Sequence, residues 1–400
     1  MSDVPVALPP WPIDRGTRQA FADRFGETWA RRFHAALVEG DPLADAVAAL
    51  EGERRVEVGR QLSQGLSGGV ASLVAPDRRV ARLLREAESV PAHVDRALIA
   101  SGPRAWYDVP FRLHLLSMSA GALVGLYTSP SIASVLSATG RLNDRTAKRL
   151  HDTARWLSTT MLPGSLVAGQ AGHAATVRLR LVHARARTAA RRHGHDEQRH
   201  GTAINQIDLV RTWLAFTLSS LRAQANLGFA QSDASIEETY GYWQQLAHLL
   251  GISSELVAGV RTHADAEQLE AMVMATSGPC EAPSLTLADR TLRTVAQTLD
   301  DLVPLPEGAS RQVLETLARR FHGHERADAL GLERSRRADA LLAPVIALAR
   351  GYRNVRGDQA RPPSAVEAGR YADALSVAMA TALDPPRRAT SVEACGLMAG

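Results

Sequence analysis

The chain has 400 residues and a formal net charge of +4, so it is longer than most single domains and too weakly charged to indicate a nucleic-acid partner. Alanine, leucine and arginine dominate while alternating β-branched runs are nearly absent, and this composition predicts an all-α protein. The two cysteines, Cys280 and Cys395, form no C-x-x-C pattern, which excludes a disulfide scaffold, a cysteine-based structural zinc site and a covalently attached c-type haem.

Helical periodicity and capping residues divide the chain into predicted helices. A helical segment over 15–50 is interrupted at Gly40-Asp41-Pro42, because Asp41 can cap a new helix that begins with Pro42. The segment from Phe111 to Leu126 is the most apolar, and it predicts a buried central helix because it is too short for a membrane span. Two predicted helices, 51–62 and 77–89, are joined by a Gly/Ser turn at 63–73, and a short helix is predicted to end at Thr139. The remaining predicted helices cover 143–161, 176–192, 204–227, 235–250, 254–275, 286–302, 309–322, 335–352 and 364–382.

The N-terminal sequence shows no secretory pattern. The N-terminus lacks both a basic start followed by an apolar core and a twin-arginine signal, and no segment runs long enough without charge to cross a bilayer. We therefore expect a cytoplasmic protein without a transmembrane segment. Residues 383–400 are expected to be poorly ordered.

The helix from Thr176 to Arg192 contains the most informative pattern. Read at helical period, Thr176, Arg180, His183 and Arg187 share one face. An imidazole with a guanidinium group one turn away on each side offers an axial ligand to an iron porphyrin and cations to its two propionates. The alternatives are a hydrogen-bonded core or surface histidine and an arginine-rich surface. The second arginine stripe, which is either phosphate-contacting or simply solvated, consists of Arg178, Arg185 and Arg192.

Several separated sequence blocks resemble a known family. They are GDPLADAV at 40–47, VPAHVDRALIASG at 90–102, a block from Tyr127 to Leu142 ending in ATGRL, RLHDT at 149–153, RLRLVHARAR at 178–187 and INQID at 204–208. In their order and spacing they are similar to the latex-clearing proteins and the wider MpaB-type oxygenases. The resemblance runs from about Gly40 to Trp243 and more faintly to the end.

The resemblance implies an all-helical, globin-like core with three-over-three packing and additional helices, which holds a noncovalent haem b. This core is expected over 76–300, between an N-terminal helical extension over 1–75 and a C-terminal one over 301–400. The position that matches the proximal iron ligand is His183. The matching arginines are Arg180 and Arg187, which would neutralise propionates or fix the helix, and the distal pattern is met by Arg149 and Thr153.

Two positions depart from the latex-clearing pattern. Asp152 stands where those proteins carry a lysine, and Ala133 stands where they carry a glutamate, so rubber cleavage is not expected. The only lysine of the chain, Lys148, lies one turn before Asp152. It either approaches the distal side of the iron or forms a helix-surface pair with Asp152.

The expected activity is that of a haem-dependent oxygenase or dioxygenase, which uses O₂ on a hydrophobic isoprenoid, polyketide or aromatic metabolite and takes electrons from a possible donor. Arg149 would hydrogen-bond the bound oxygen, Thr153 would donate or relay a proton, and Asp152, if buried near Arg149, would act as a base. Two other classes stay open: a haem-binding sensor or carrier, and a haem-free helical binding protein. The absence of a helix-turn-helix with a concentrated basic surface argues against a nucleic-acid-binding regulator.

Overall fold

The computed structural model describes residues 8–138, 146–302, 308–357, 366–370 and 373. Within these ranges the chain is helical and contains no strand, which confirms the predicted all-α class. The helices are α1 Arg18–Phe25, α2 Glu27–Val38, α3 Pro42–Gly68, α4 Arg78–Glu88, α5 Arg96–Ser101, α6 Arg104–Tyr107, α7 Phe111–Leu126, α8 Pro130–Ala138, α9 Thr146–Thr160, α10 Ala171–Arg192, α11 Glu197–His200, α12 over 206–226, α13 Asp233–Leu249, α14 Ser254–Val257, α15 His263–Ala275, α16 Ala282–Leu302, α17 Ala309–Ala329 and α18 Arg336–Arg356.

Capping explains where the predicted boundaries agree with the structure and where they do not. Helix α3 begins at Pro42 as predicted, and the Asp41 carboxylate accepts a hydrogen bond from the Ala44 amide at 3.1 Å. The same helix continues to Gly68, with only a kink at Arg54, so the prediction of a separate helix over 51–62 is wrong. The chain turns after Gly69 and not at residue 63, where the predicted turn begins. Gly69 has a φ of +80°, a conformation that favours glycine.

Other boundaries shift for similar reasons. The predicted segment 15–50 contains an additional break at Gly26, and 254–275 is divided into α14 and α15. Helix α17 continues through a break at Gly323, beyond the predicted end at 322. Thr139, residues 143–145, most of the predicted helix 364–382 and the tail 383–400 lie outside the described residues.

The central helix α7 is buried, as its apolar sequence predicts, and its middle is π-helical over Ser117–Leu123. Helix α12 packs against it and is also π-helical in its middle, over Ala215–Ser219. From the C-terminal part of the chain, His322 of α17 lies with its Nε2 2.9 Å from the Ala120 carbonyl oxygen of α7. The C-terminal helices therefore pack directly onto the central helix.

Among the described residues, no single helix is both long and apolar enough to span a membrane. The bent pair α5–α6 and α7, whose two arms meet at 94°, passes on combined length and composition alone.

A buried ion pair ties the N-terminal segment to α12. Arg15 donates to the Asp208 carboxylate at 2.7 Å and to the backbone carbonyl of His200 at 2.9 Å. The second oxygen of Asp208 accepts hydrogen bonds from Ser131 at 2.7 Å and from Asn205 at 3.1 Å. Because each charge is paired and hydrogen-bonded, the desolvation penalty of burying it is offset. This network gives the INQID block a structural role.

His114 anchors the start of α7 against α6. Its ring stacks on Trp106 with centroids 3.7 Å apart, and its Nε2 lies 2.9 Å from the Trp106 carbonyl oxygen. Burial lowers the pKa of His114 from 6.5 to about 4, with the hydrogen bond to Trp106 opposing that shift. The folded protein therefore keeps this imidazole neutral at pH values where the unfolded chain protonates it.

We predict that the free energy of unfolding falls as pH is lowered from about 6.5 to about 4, because in that window the unfolded chain binds a proton that buried His114 does not. The contribution of one such group is at most about 1.4 kcal/mol per pH unit. Chemical denaturation over this range should give a shallower pH dependence for His114→Gln than for the wild type. The exposed His193→Gln is the control, and equal slopes for wild type and His114→Gln would contradict the assignment.

Candidate active site

His183 lies on the face of α10 that the sequence singled out. The residue is half-buried, and its Nδ1 is buried without a hydrogen-bond partner in the described part of the chain. Burial and, to a smaller extent, the charge of Arg187 lower the pKa of His183 to about 4, while Asp41 opposes this shift. The ring is therefore neutral at pH 7, which is the form that binds a metal ion.

Arg180, one turn before His183, is completely engaged by carboxylates. Its Nε lies 2.5 Å from Asp41 Oδ2, its Nη2 3.0 Å from Asp41 Oδ1 and its Nη1 2.6 Å from Glu86 Oε2. The side chain is 3% exposed. Each of the three guanidinium nitrogens thus donates to α4 or to the residue that caps α3, so this arginine fixes α10 and two carboxylates already balance its charge.

Arg187, one turn after His183, is held in a similar way but incompletely. Its Nε lies 2.9 Å from Asp45 Oδ1, and its Nη1 donates to the Ile204 carbonyl at 2.7 Å. Its Nη2 is buried and has no hydrogen-bond partner among the described residues. A buried guanidinium N–H without an acceptor is costly. An anionic group that enters beside His183 would satisfy this nitrogen.

Two glycines make room for these ion pairs. A Cβ on Gly40 would lie 2.6 Å from Arg187 Nε, and a Cβ on Gly251 would lie 2.5 Å from Arg180 Nε. The sequence interpretation identified the arginines and the capping role of Asp41 but missed the partners Asp45 and Glu86. The spacing of Asp41 and Asp45 by one helical turn within the GDPLADAV block places both carboxylates at the same end of α3, whereas nothing in the sequence pattern identifies Glu86.

The chemistry of this face fits a haem. His183 offers a neutral imidazole with an unpaired buried nitrogen, and Arg187 offers an unpaired N–H. Both groups lie on one face of one helix, one turn apart. An iron porphyrin needs an axial nitrogen and cations for its propionates.

On α9, two of the three predicted distal residues face the protein interior. Arg149 lies with its Nη2 3.3 Å from the Tyr127 hydroxyl, which in turn contacts the Thr291 hydroxyl at 3.0 Å. Thr153 lines a cavity of about 40 Å³ whose wall is mostly apolar. The residues of this wall are Trp106, His114, Leu115, Met118, Ser119, Leu123, Leu150, Thr153, Ala154, Leu157, Phe216 and Val295.

Asp152 lies on the solvent side of α9. Its carboxylate is 2.6 Å from Lys148 Nζ, and the two side chains are 55% and 64% exposed. Of the two alternatives for Lys148, the helix-surface pair is the one that forms. An exposed and ion-paired carboxylate lacks the buried environment that the predicted base required.

A larger cavity of about 690 Å³ opens beside the Arg180 ion pairs. Its wall includes Asp41, Glu86 and Arg180 together with His93 and His248. His183 does not belong to the described wall of either cavity.

A separate group of metal-ligand residue types lies at the N-terminal segment. Ligand atoms of Asp14, His200 and Glu281 come within 4.8 Å of one another. Arg199 Nη2, however, lies 2.7 Å from Asp14 Oδ2 and 2.8 Å from Glu281 Oε1. The arginine already neutralises these carboxylates, so the group forms a surface ion-pair cluster.

We predict that Gly40→Ala destabilises the protein by roughly 1–3 kcal/mol, because the new methyl group overlaps an arginine that Asp45 and Ile204 hold in place. The matched control is Gly59→Ala on the exposed side of α3, where nothing lies within 4 Å. That change should stabilise the helix by roughly 0.5–1 kcal/mol. Denaturant midpoints measure both changes, and a Gly40→Ala protein as stable as the wild type would show that Arg187 moves aside freely.

Comparison with known proteins gives two matches. The family described as "ER-bound oxygenase mpaB/B'/Rubber oxygenase, catalytic domain" matches residues 110–354. A solved structure of latex clearing protein in the closed state is similar in fold, with a TM-score of 0.61 and 20% sequence identity over 87% of this chain and 91% of that chain. No curated protein sequence matches significantly. Because the matched family spans more than half of the chain, the protein belongs to the mpaB/B'/rubber oxygenase family of oxygenases.

Proposed function

We propose that this protein is a haem b-dependent oxygenase that uses O₂ on a hydrophobic small molecule, with His183 as the proximal iron ligand. The observation that carries the proposal is the buried, unpaired Nδ1 of a neutral His183 between two buried arginines. Membership of an oxygenase family supports the reaction class. Haem b, when bound, supplies the iron that binds and activates O₂.

The chain's own residues divide the work of holding this group. His183 would hold the iron, Arg187 would donate its open Nη2 to a propionate, and Arg180 would keep α10 fixed through Asp41 and Glu86. Burial and, to a smaller extent, the charge of Arg187 keep His183 deprotonated, because a second positive charge beside that arginine is unfavourable. We therefore assign to Arg180 the role of fixing the helix and to Arg187 the role of binding a propionate.

On the distal side we assign roles to Arg149 and Thr153. Arg149 is oriented by the Tyr127 hydroxyl, so its remaining N–H groups can hydrogen-bond a polar group in the interior. The Thr153 hydroxyl is positioned to hold or pass a proton within the apolar cavity. Asp152 is left out of the chemistry because it is exposed and paired with Lys148.

The substrate class follows from the surroundings of Thr153. The side chains around Thr153 are mostly apolar, so this environment favours an isoprenoid, a polyketide or an aromatic metabolite over a polar molecule. Ala133, where latex-clearing proteins carry a glutamate, argues for a substrate other than rubber. A cytoplasmic location and an electron donor stay predictions of the sequence.

The decisive experiment is the absorption spectrum of the protein expressed with added haem, before and after reduction and with CO. The wild type should show a Soret band that shifts with CO. The haem content of His183→Ala should be roughly tenfold or more below that of the wild type, since the substitution removes an axial ligand and leaves an apolar cavity. Asp152→Asn is the matched control and should keep the haem content and the CO shift of the wild type.

Circular dichroism of each variant separates loss of haem from loss of fold. A wild-type protein with native helicity and no Soret band would favour a haem-free helical binding protein. A His183→Ala variant with unchanged haem content would place the iron ligand elsewhere. A Soret band without reaction of the reduced protein with O₂ would favour the sensor or carrier.

A further inference from the structure

The outer face of α18 carries an apolar stripe that the other described residues leave uncovered. We define the α18 stripe by five side chains with exposed fractions of 56–91%, namely Leu341 69%, Val345 61%, Leu348 75%, Tyr352 56% and Val355 91%. The steps between them are four, three, four and three residues, so they follow one line along the helix. Large apolar side chains exposed singly are ordinary, but five in a line are not.

The residues beside the stripe broaden it. Ala340, Pro344, Ala347 and Gly351 are also exposed and project from the same side of the helix. An adjacent side of α18 packs against the body of the protein, with Ala338, Ile346 and Arg353 buried. Helix α18 therefore has apolar side chains both where it packs against the protein and along its exposed stripe.

The charged residues around the stripe have one dominant sign. Arg336, Arg337 and Arg350 are exposed on α18. The only acidic residue of the helix is Asp339, which is 2.9 Å from the guanidinium of Arg320. Of these arginines, Arg337 lies on the line of the stripe, one turn before Leu341, whereas Arg336 and Arg350 lie on the side of the helix away from it.

We propose that the α18 stripe docks on an anionic lipid surface, with the five apolar side chains in the acyl boundary and the arginines at the headgroups. A helix that combines an apolar face with arginines on its polar side is typical of interfacial binding. Basic residues near an anionic membrane each contribute favourably. A symmetric contact with a second copy of the chain fits less well, because it would bring the two sets of arginines together.

This docking extends the proposed function without depending on the haem. A hydrophobic substrate concentrates in a bilayer, so an oxygenase held at the membrane surface meets it where it is dissolved. Binding to lipid is measured independently of haem. Lipid binding can therefore be absent while the haem proposal holds, and it can be present while the haem proposal fails.

The experiment is flotation of the full-length protein with vesicles of phosphatidylcholine alone and of phosphatidylcholine mixed with phosphatidylglycerol. The wild type should float with the mixed vesicles and much less with phosphatidylcholine alone. Val355→Glu should weaken this binding roughly tenfold or more, because it places a carboxylate in the apolar stripe. The matched control is Val74→Glu, since Val74 is 93% exposed but lies in the turn before α4 and not on α18.

Arg350→Gln tests the charge component. It should weaken binding to the mixed vesicles roughly fivefold, and added salt should reduce the difference. Wild-type protein that does not float, or equal flotation of the two valine variants, would overturn the proposal. So would a wild-type dimer that Val355→Glu converts to a monomer while lipid binding stays unchanged, because the stripe would then be covered by a second copy.

Discussion

The ion pairs between the start of α3 and the middle of α10 are the constraint on which the rest of the site depends. Asp41 and Asp45 lie one turn apart on one helix, and Arg180 and Arg187 lie two turns apart on the other. Four buried or half-buried charges meet at this contact. A buried ion pair is stable only when both partners are present, because removing one leaves the charge of the other uncompensated. The contact therefore fixes both the distance and the rotation of α10 relative to α3.

The two arginines are satisfied unequally, and this inequality marks the site. Arg180 uses all its nitrogens on carboxylates, whereas Arg187 leaves Nη2 buried without an acceptor. His183 lies between them with a buried Nδ1 that is also unpaired. Native proteins seldom bury unpaired polar atoms. Two of them one turn apart on the same helix face are the observation on which the proposed haem site rests.

The sequence predicts local features of this arrangement well and tertiary ones poorly. The cap at Asp41, the buried helix α7 and the shared face of Arg180, His183 and Arg187 follow from spacing along one helix. The partners Asp45 and Glu86 come from elements far apart in the chain, so helical periodicity alone gives no sign of which charges they meet. Asp152 is a second residue whose tertiary environment the sequence does not predict. Its position on α9 is predictable, but its exposure and its pairing with Lys148 depend on how α9 is rotated against its neighbours.

The continuation of α3 beyond residue 50 has a comparable cause. Gly52 and the charged run after it are weak helix signals, yet the helix passes through with only a kink at Arg54. Leu62 and Leu66 on the later turns are buried in the core. Their burial supplies the stabilisation that local propensity lacks.

The cavity beside Thr153 lies where the two π-helical segments meet. Met118, Ser119 and Leu123 of α7 and Phe216 of α12 all belong to π-helical turns and all line the cavity wall. A π turn inserts one extra residue into a helix and so redirects the side chains that follow it, and such turns are frequent at functional sites. At about 40 Å³ the cavity holds little more than a water molecule. An organic substrate at Thr153 would therefore have to displace this wall, and the irregular middle turns of α7 and α12 are the part of the wall that differs from an ordinary, tightly bonded α-helix.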